Sequence, residues 1–153
     1  MTLSAEAELS LTQAIYEGFS QGRLDRWDAY FDSGVLINSP AGRDIVGLEA
    51  LKAWVQGFLS AFRPRVDLID HYIAGDRALV TVNLHWKHDG TSFFGIEPTG
   101  TSGTSIETFL LRLKDGRVTH FDVADNSLDL AIYLHEKGMP MPNKVTPPAL
   151  SSG

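Results

Sequence analysis

The stretch Lys114-Asp-Gly-Arg-Val-Thr-His-Phe-Asp-Val-Ala-Asp125 is the most informative part of the chain. Asp115-Gly116 separates two β-rich runs, residues 109–113 and 118–123, and an Asp-Gly pair in this position is typical of a β-hairpin turn. Asp125, at the end of the second strand, has the same parity as the apolar Phe121 and is predicted to lie on the same face. A carboxylate on an apolar face is costly to bury unless something uses it. Asp125 is therefore the first candidate for a catalytic residue.

Composition limits the class of protein. The chain has 153 residues, of which 43% are hydrophobic and 21% charged, as expected for one globular domain. A net charge of −6 argues against a nucleic-acid partner, and the absence of cysteine excludes disulfides and thiolate chemistry. No signal peptide or membrane-spanning segment is predicted, so we expect a cytoplasmic protein. Residues 1–142 are predicted to form one domain, and residues 143–153 a flexible tail rich in proline and serine.

Hydrophobic periodicity predicts helices before strands. The predicted helices are 5–19, 24–31, 48–62 and 128–137; the predicted strands are 35–38, 66–73, 78–88, 104–113 and 117–125, with a loop over 89–103. A run of antiparallel strands after the helices indicates an α+β fold, in which a curved sheet wraps around helices that cover one of its faces.

Strand alternation predicts a polar cluster at one end of the inner face. Trp86 and His88 share the apolar parity of their strand, and Glu107 and Phe109 share that of the next. A tight turn at Asp115-Gly116 would place Asp125 opposite Ser105, with Glu107 one step diagonal. We therefore expect His88, Glu107 and Asp125 at the mouth of a pocket with a floor of Trp86, Phe109 and Phe121. Trp54 and Phe58, on the long helix, are expected to form its roof.

Each of these residues also has a structural interpretation. Asp125 or Asn126 could serve as the N-cap of the last helix, Glu107 could lie on the outer face, and His88 could be a rim residue. Trp54 and Phe58 could be plain core. The histidines show no metal-ligand spacing, and the glycine-rich segment 95–102 lacks the lysine of a phosphate loop, so neither a metal nor a cofactor is predicted.

Several segments resemble the SnoaL-like polyketide cyclases of the nuclear transport factor two-like superfamily. These are Gly47-Leu-Glu-Ala-Leu-Lys-Ala-Trp54, Ala74-Gly-Asp-Arg77, Phe94-Gly-Ile-Glu-Pro-Thr-Gly100, Lys114–Asp125 and Leu130–Pro140. The resemblance implies a cone-shaped α+β barrel with an internal apolar pocket, usually a homodimer. It also implies that Asp125 acts as general acid/base in an intramolecular aldol ring closure without metal or cofactor.

The chain departs from the family pattern at two places. Phe121 stands where tryptophan is common, and Phe109 and Leu111 occupy inward positions where cyclases tend to carry polar partners. Polar help for Asp125 is then expected from Glu107, His88 or Asn38. Like-charge repulsion between Glu107 and Asp125 is expected to raise the pKa of one of them, giving a proton donor beside an acceptor.

The predicted function is acid/base catalysis on a small apolar molecule that carries a ketone. An isomerase, a dehydratase or an epoxide hydrolase on the same fold is the alternative enzyme, although the last usually needs an inward arginine. A non-catalytic ligand-binding or dimerisation module is the remaining possibility. The polar outer set Thr81, Asn83 and His85 predicts a homodimer through the outer face of the sheet.

Overall fold

The structure is a computed structural model that describes residues 5–39, 42–125 and 129–138. The helices are α1 (Ala5–Gln21), a short 3₁₀ helix (Leu24–Ala29), α2 (Leu48–Phe62) and α3 (Asp129–Glu136). The strands are β1 (Phe31–Ser39), β2 (Gly42–Val46), β3 (Arg65–Ala74), β4 (Arg77–Lys87), β5 (Ser102–Lys114) and β6 (Arg117–Asp125).

In this part of the chain the strands form one mixed sheet in the order β2-β1-β6-β5-β4-β3. Neighbouring strands are antiparallel except β1 and β6, which run parallel. Helices pack on one face of this curved, open sheet. The predicted α+β class, with a mainly antiparallel sheet around helices, is confirmed.

The inner face follows the predicted alternation in β4 and β5. Val80, Val82, Leu84 and Trp86 of β4 are buried, and so are Phe109, Leu111 and Leu113 of β5. Between these strands the register runs without a shift from Arg77↔Arg112 to Lys87↔Ser102. The same residues that alternate in the sequence therefore form the sheet's contribution to the core.

An aromatic cluster fills the core below α1 and the 3₁₀ helix. Phe109 stacks on Phe19 with ring centroids 4.7 Å apart and on Phe121 at 5.1 Å. Trp27 stacks on Phe31 at 4.8 Å and donates its indole N–H to the Ala14 carbonyl at 2.8 Å. Ring packing and the hydrogen bond of Trp27 therefore stabilise the part of the core that lies below α1 and the 3₁₀ helix.

The loop after β4 closes the C-terminal end of α2. The Gly90 and Thr91 amides donate to the Ala61 and Ser60 carbonyls at 3.0 and 3.1 Å. A Cβ atom on Gly90 would lie 1.9 Å from the Ser60 oxygen, so only glycine allows this approach. The loop thus supplies donors to two of the carbonyls that a helix end leaves without partners.

The structure corrects two predicted strand boundaries, adds one strand, and ends the helix expected at 24–31 at Ala29. The strand expected at 35–38 extends from Phe31 to Ser39, β2 was not predicted, and β5 begins at Ser102 inside the predicted loop. Pairing between distant segments lengthens strands beyond what local periodicity shows. The predicted capping residue Asn126 and the predicted tail over 143–153 lie outside the described residues.

The register of the last hairpin is also corrected. Asp125 pairs with Glu107, not with Ser105. The Lys114↔Arg117 pair alone would put Asp125 opposite Ile106, and the register shift between Arg112 and Leu113 moves its partner on to Glu107. Val118 pairs with Leu113 and His120 with Arg112, so Thr119 is an extra residue in β6. A bulge of this kind cannot be read from alternation.

Candidate functional site

Ser105 and Glu107 are polar residues in a face that is otherwise apolar. They follow one another on the inner side of β5 and are 0% and 7% exposed. Glu107 is opposite Val82 on one side and Asp125 on the other. The backbone of Asp125 belongs to β6, whereas its side chain lies outside what the structure describes. The structure therefore brings the strand positions of two of the predicted acids together.

His88 is fully buried and both of its ring nitrogens have partners. Nδ1 lies 2.7 Å from the Tyr133 hydroxyl, and Nε2 lies 3.0 Å from the Thr91 carbonyl oxygen. Because a carbonyl only accepts, Nε2 carries a proton, and in the neutral ring Nδ1 accepts from Tyr133. The Tyr133 hydroxyl also lies 2.7 Å from the Thr99 hydroxyl. This chain of hydrogen bonds joins α3 to the loop after β4.

Tyr133 is the main residue that sequence reasoning missed. It lies 45 positions from His88, so no local pattern predicts their contact. Its spacing with Leu130 and Leu134, all buried on α3, is the available signal for an inward face.

Trp86 lies under the helices, with its ring against two aromatic side chains. Its centroid is 5.8 Å from that of Phe62 and 5.4 Å from that of Tyr133. A Cβ atom on Gly103, its partner across the strands, would lie 2.6 Å from the indole ring. Trp86 is 3% exposed, yet its Nε1 has no hydrogen-bond partner in the described structure. The hydroxyl of Ser105 is likewise buried without a partner there.

The other predicted pocket residues divide between the two ends of the core. Trp54 stacks on Phe58 at 6.0 Å, and Phe58 packs against Phe62, so α2 presents an aromatic ridge toward Trp86. Phe109 and Phe121 instead belong to the packed aromatic cluster at the opposite end. Both rings are buried there.

Asn38 is not brought into the inner cluster. Val35 and Ile37 are the buried residues of β1, and Asn38 has the other parity. Its amide donates to Asp122 at 3.1 Å and accepts from the Asp44 amide at 3.0 Å. Asp122 pairs with the exposed Leu110 of β5, which places this contact on the outer face. The expectation that Asn38 assists Asp125 is corrected accordingly.

The outer face carries charge. Asp67 of β3 lies 2.8 Å from His85 Nε2 and 2.9 Å from an Arg65 nitrogen. The hydrogen bond with His85, followed by the charge of Arg65, holds the pKa of Asp67 below its ordinary value. A depression of about 320 Å³ lies farther along this face, beside Tyr72, Leu79 and Leu110.

A second cavity of about 370 Å³ lies between the C-terminal ends of α1 and α2, against Phe19, Leu59 and Arg63. Across residues 5–39, 42–125 and 129–138, no group of three or more histidine or acidic residues is arranged to hold a metal ion. Nor does any helix in these ranges have the length and apolar character needed to cross a membrane.

Comparison with known proteins gives one family. The sequence profile of the SnoaL-like domain matches residues 12–121. No curated protein matches the chain at a significant level.

Many solved structures share the fold. A candidate SnoaL-like polyketide cyclase from Jannaschia sp. CCS1 has 20% identity and a TM-score of 0.70, over 92% of this chain and 100% of that one. TsrD from Streptomyces laurentii has 16% identity and a TM-score of 0.73, over 91% and 100%. AclR from Streptomyces galilaeus, a candidate hydroxylase, has 18% identity and a TM-score of 0.69, over 87% and 83%. At these identities the likeness establishes the fold alone.

Proposed function

Because the chain belongs to the SnoaL-like domain family, we propose that it is a cofactor-independent, cyclase-type enzyme. Its substrate would be a small apolar molecule that carries a ketone, and its reaction an intramolecular aldol ring closure. The observation that carries the proposal is the pairing of Asp125 with the buried Glu107 at the inner face of β5 and β6. Two acids at facing positions supply an acceptor and a donor of protons in one place.

The proposed chemistry needs no redox step. Asp125, ionised, removes a proton from the carbon next to the ketone, and the electron pair passes to the carbonyl oxygen as an enolate. The enolate carbon attacks a second carbonyl carbon of the same molecule, which forms the ring and leaves an alkoxide. Glu107, protonated, delivers its proton to that alkoxide. Base catalysis of this kind typically contributes roughly 10²–10⁴-fold in rate.

His88 fits this scheme as a positioning residue. Its ring nitrogens are engaged with Tyr133 and Thr91, so its part would be to fix α3 and the loop against the open end of the sheet. A donor to the enolate oxygen is then needed from another side chain.

The test is the variant Asp125→Asn, which keeps the shape of the side chain but cannot accept the proton. We expect turnover of a 1,5-diketone panel, followed by mass spectrometry of ring-closed products, to be abolished while the circular dichroism spectrum is unchanged. Asp122→Asn on the outer face of the same strand is the matched control and should retain activity. Full activity of Asp125→Asn would refute the assignment of the base.

A non-catalytic binding module is the second candidate. It is favoured by the aromatic ridge of Trp54 and Phe58, which packs through Phe62 toward Trp86 and supplies apolar contact without chemistry. Ligand binding by the wild-type protein with no product from any diketone, and equal affinity in Asp125→Asn, would establish this function instead.

We also propose that the protein forms a homodimer through the outer face of the sheet. Leu110 and Tyr72 are 45% and 62% exposed there, beside the depression described above. Light scattering at micromolar concentration should give twice the chain mass, and Leu110→Lys should lower it. A monomer mass for the wild type would overturn the proposal.

A further inference from the structure

We propose that the indole N–H of Trp86 and the hydroxyl of Ser105 form a donor site for a neutral carbonyl oxygen of the bound ligand. The inference rests on the proposed function, because it names the groups that would donate hydrogen bonds to the enolate oxygen. It also defines the class of ligand, which is an uncharged ketone.

The two polar atoms are buried and have no hydrogen-bond partner among the described residues. Trp86 and Ser105 are 3% and 0% exposed, and neither Nε1 nor Oγ has a partner in the described structure. Leaving a buried polar group without a hydrogen bond typically costs about 1–3 kcal/mol, and such groups are few in folded proteins. Two of them on one inner face are explained if a ligand atom supplies the acceptor. Trp27 provides the contrast, since its buried indole is bonded to Ala14.

Strands β4 and β5 place these two groups next to each other. Trp86 is opposite Gly103, and Ser105 is the next inward residue of β5, so the two are diagonal neighbours on the inner face. The Cα atoms of diagonal pairs in an antiparallel sheet are roughly 7–8 Å apart, a distance that a tryptophan side chain can span. One ligand oxygen between the two side chains could therefore accept from both. Gly103 lets the indole lie directly over the strand. Glu107, the pairing partner of Asp125, is the next inward residue of β5 after Ser105.

The chemistry of the two donors selects the acceptor. An indole N–H can only donate, so the missing partner must be an acceptor. Both groups are uncharged, so a carboxylate ligand would lose its hydration there without gaining a counter-charge. A ketone oxygen carries no such penalty, and its acceptor strength grows as an enolate forms. Donors directed at an oxygen that becomes charged stabilise the transition state more than the ground state.

The experiment compares two probes of nearly equal shape, 2-acetylnaphthalene and 2-isopropylnaphthalene, which differ in the carbonyl oxygen. Their dissociation constants are measured by calorimetry for the wild type, Ser105→Ala, Trp86→Phe and the control Ser20→Ala. Ser20 also has a buried hydroxyl without a described partner, but it lies near the end of α1. We expect either site variant to weaken ketone binding about five- to tenfold and hydrocarbon binding less than about twofold. Ser20→Ala should change neither.

The unfolding temperature of the free protein separates a ligand-binding role of Ser105 from a structural one. A structural hydroxyl would lower this temperature when it is removed. Thermal unfolding of Ser105→Ala without probe should occur at or above the wild-type temperature, because a buried, unpartnered group is removed. Should Trp86→Phe fail to fold, Ser105→Ala and the infrared carbonyl stretch of a ¹³C-labelled ketone decide. That stretch should move to lower frequency on binding to the wild type and return partly in Ser105→Ala.

The inference is overturned if ketone and hydrocarbon respond equally to the substitutions, if neither responds, or if the wild type binds no ketone up to its solubility limit. Its failure is distinct from failure of the proposed enzyme. If the substitutions weaken ketone binding specifically but no turnover is found, the donor site is supported and the cyclase is refuted. If turnover depends on Asp125 but the substitutions leave both affinities unchanged, the cyclase is supported and the donor site is refuted.

Discussion

Gly90→Ala should be among the most damaging single-methyl additions to this protein. The added Cβ would lie 1.9 Å from the Ser60 carbonyl oxygen, whereas real contacts of this kind stay above 3.0 Å. The loop must therefore move by at least about 1 Å. The hydrogen bonds from Gly90 and Thr91 to α2, now 3.0 and 3.1 Å long, would then exceed any useful length.

The cost follows from those two bonds. Each contributes about 0.5–1.5 kcal/mol net, and the α2 carbonyls and the loop amides lose their partners. We expect a loss of about 2–4 kcal/mol from a free energy of unfolding of typically 5–15 kcal/mol. Thermal unfolding should fall by roughly 4–16 °C for a chain of this size. Thr91 also accepts from His88, so the attachment of α3 should weaken together with the loop.

Urea unfolding followed by circular dichroism measures this directly, with the midpoint lowered and the slope unchanged. Gly57→Ala is the matched control, because Gly57 lies within α2 and its Cβ would meet nothing within 4 Å. That variant should gain about 0.5–1 kcal/mol from helix propensity. A Gly90→Ala protein as stable as the wild type would show that the loop does not close the end of α2 as described.

Two further substitutions test the hydrogen-bond networks. Tyr133→Phe removes the hydroxyl that contacts His88 and leaves a buried ring nitrogen without its partner. The free energy of unfolding should fall by about 1–3 kcal/mol, and amide exchange should become faster throughout α3. Unchanged exchange in α3 would contradict the link between the helix and His88. Asp67→Asn removes a carboxylate whose pKa is lowered by His85, so the wild type should be more stable than the variant at neutral pH. That advantage should shrink as the pH falls below the ordinary range of an aspartate and disappear once the pH is below the lowered pKa. Urea midpoints that differ equally at pH 7 and pH 2.5 would exclude the interaction.

The sequence predicts the inner face well wherever alternation is unbroken. Glu107, Phe109 and Leu111 are buried as expected because β4 and β5 pair without a shift. The predicted partner of Asp125, Ser105, lies two positions from the observed partner Glu107. One of these positions comes from the extra Thr119, which leaves no trace in a pattern of period two. Asn38 has outward parity in β1, but the length of that strand depends on pairing with β6, which no local signal gives.

The site is less predictable than the fold for a related reason. Proximity of Glu107 to Asp125 follows from a hairpin, which is local. The partners of His88 come from a helix 45 residues away and from the loop that follows β4, and tertiary packing alone unites them. The missing partners of Trp86 and Ser105 are a property of the folded interior, so composition and spacing carry no information about them.

The parallel pairing of β1 with β6 has a consequence for how the chain folds. Ile37 pairs with Phe121, so β1 can complete its pairing only after β6, the last strand in the chain, has been synthesised. Until then Val35 and Ile37 are apolar residues on an unpaired edge, which favours association with other chains. Arg117, at the start of β6, then donates to the Asp28 and Phe31 carbonyls at 2.7 and 2.9 Å. Closure over so long a sequence separation is slow, and a ribosome-bound chain that stops before Arg117 should need a chaperone to remain soluble.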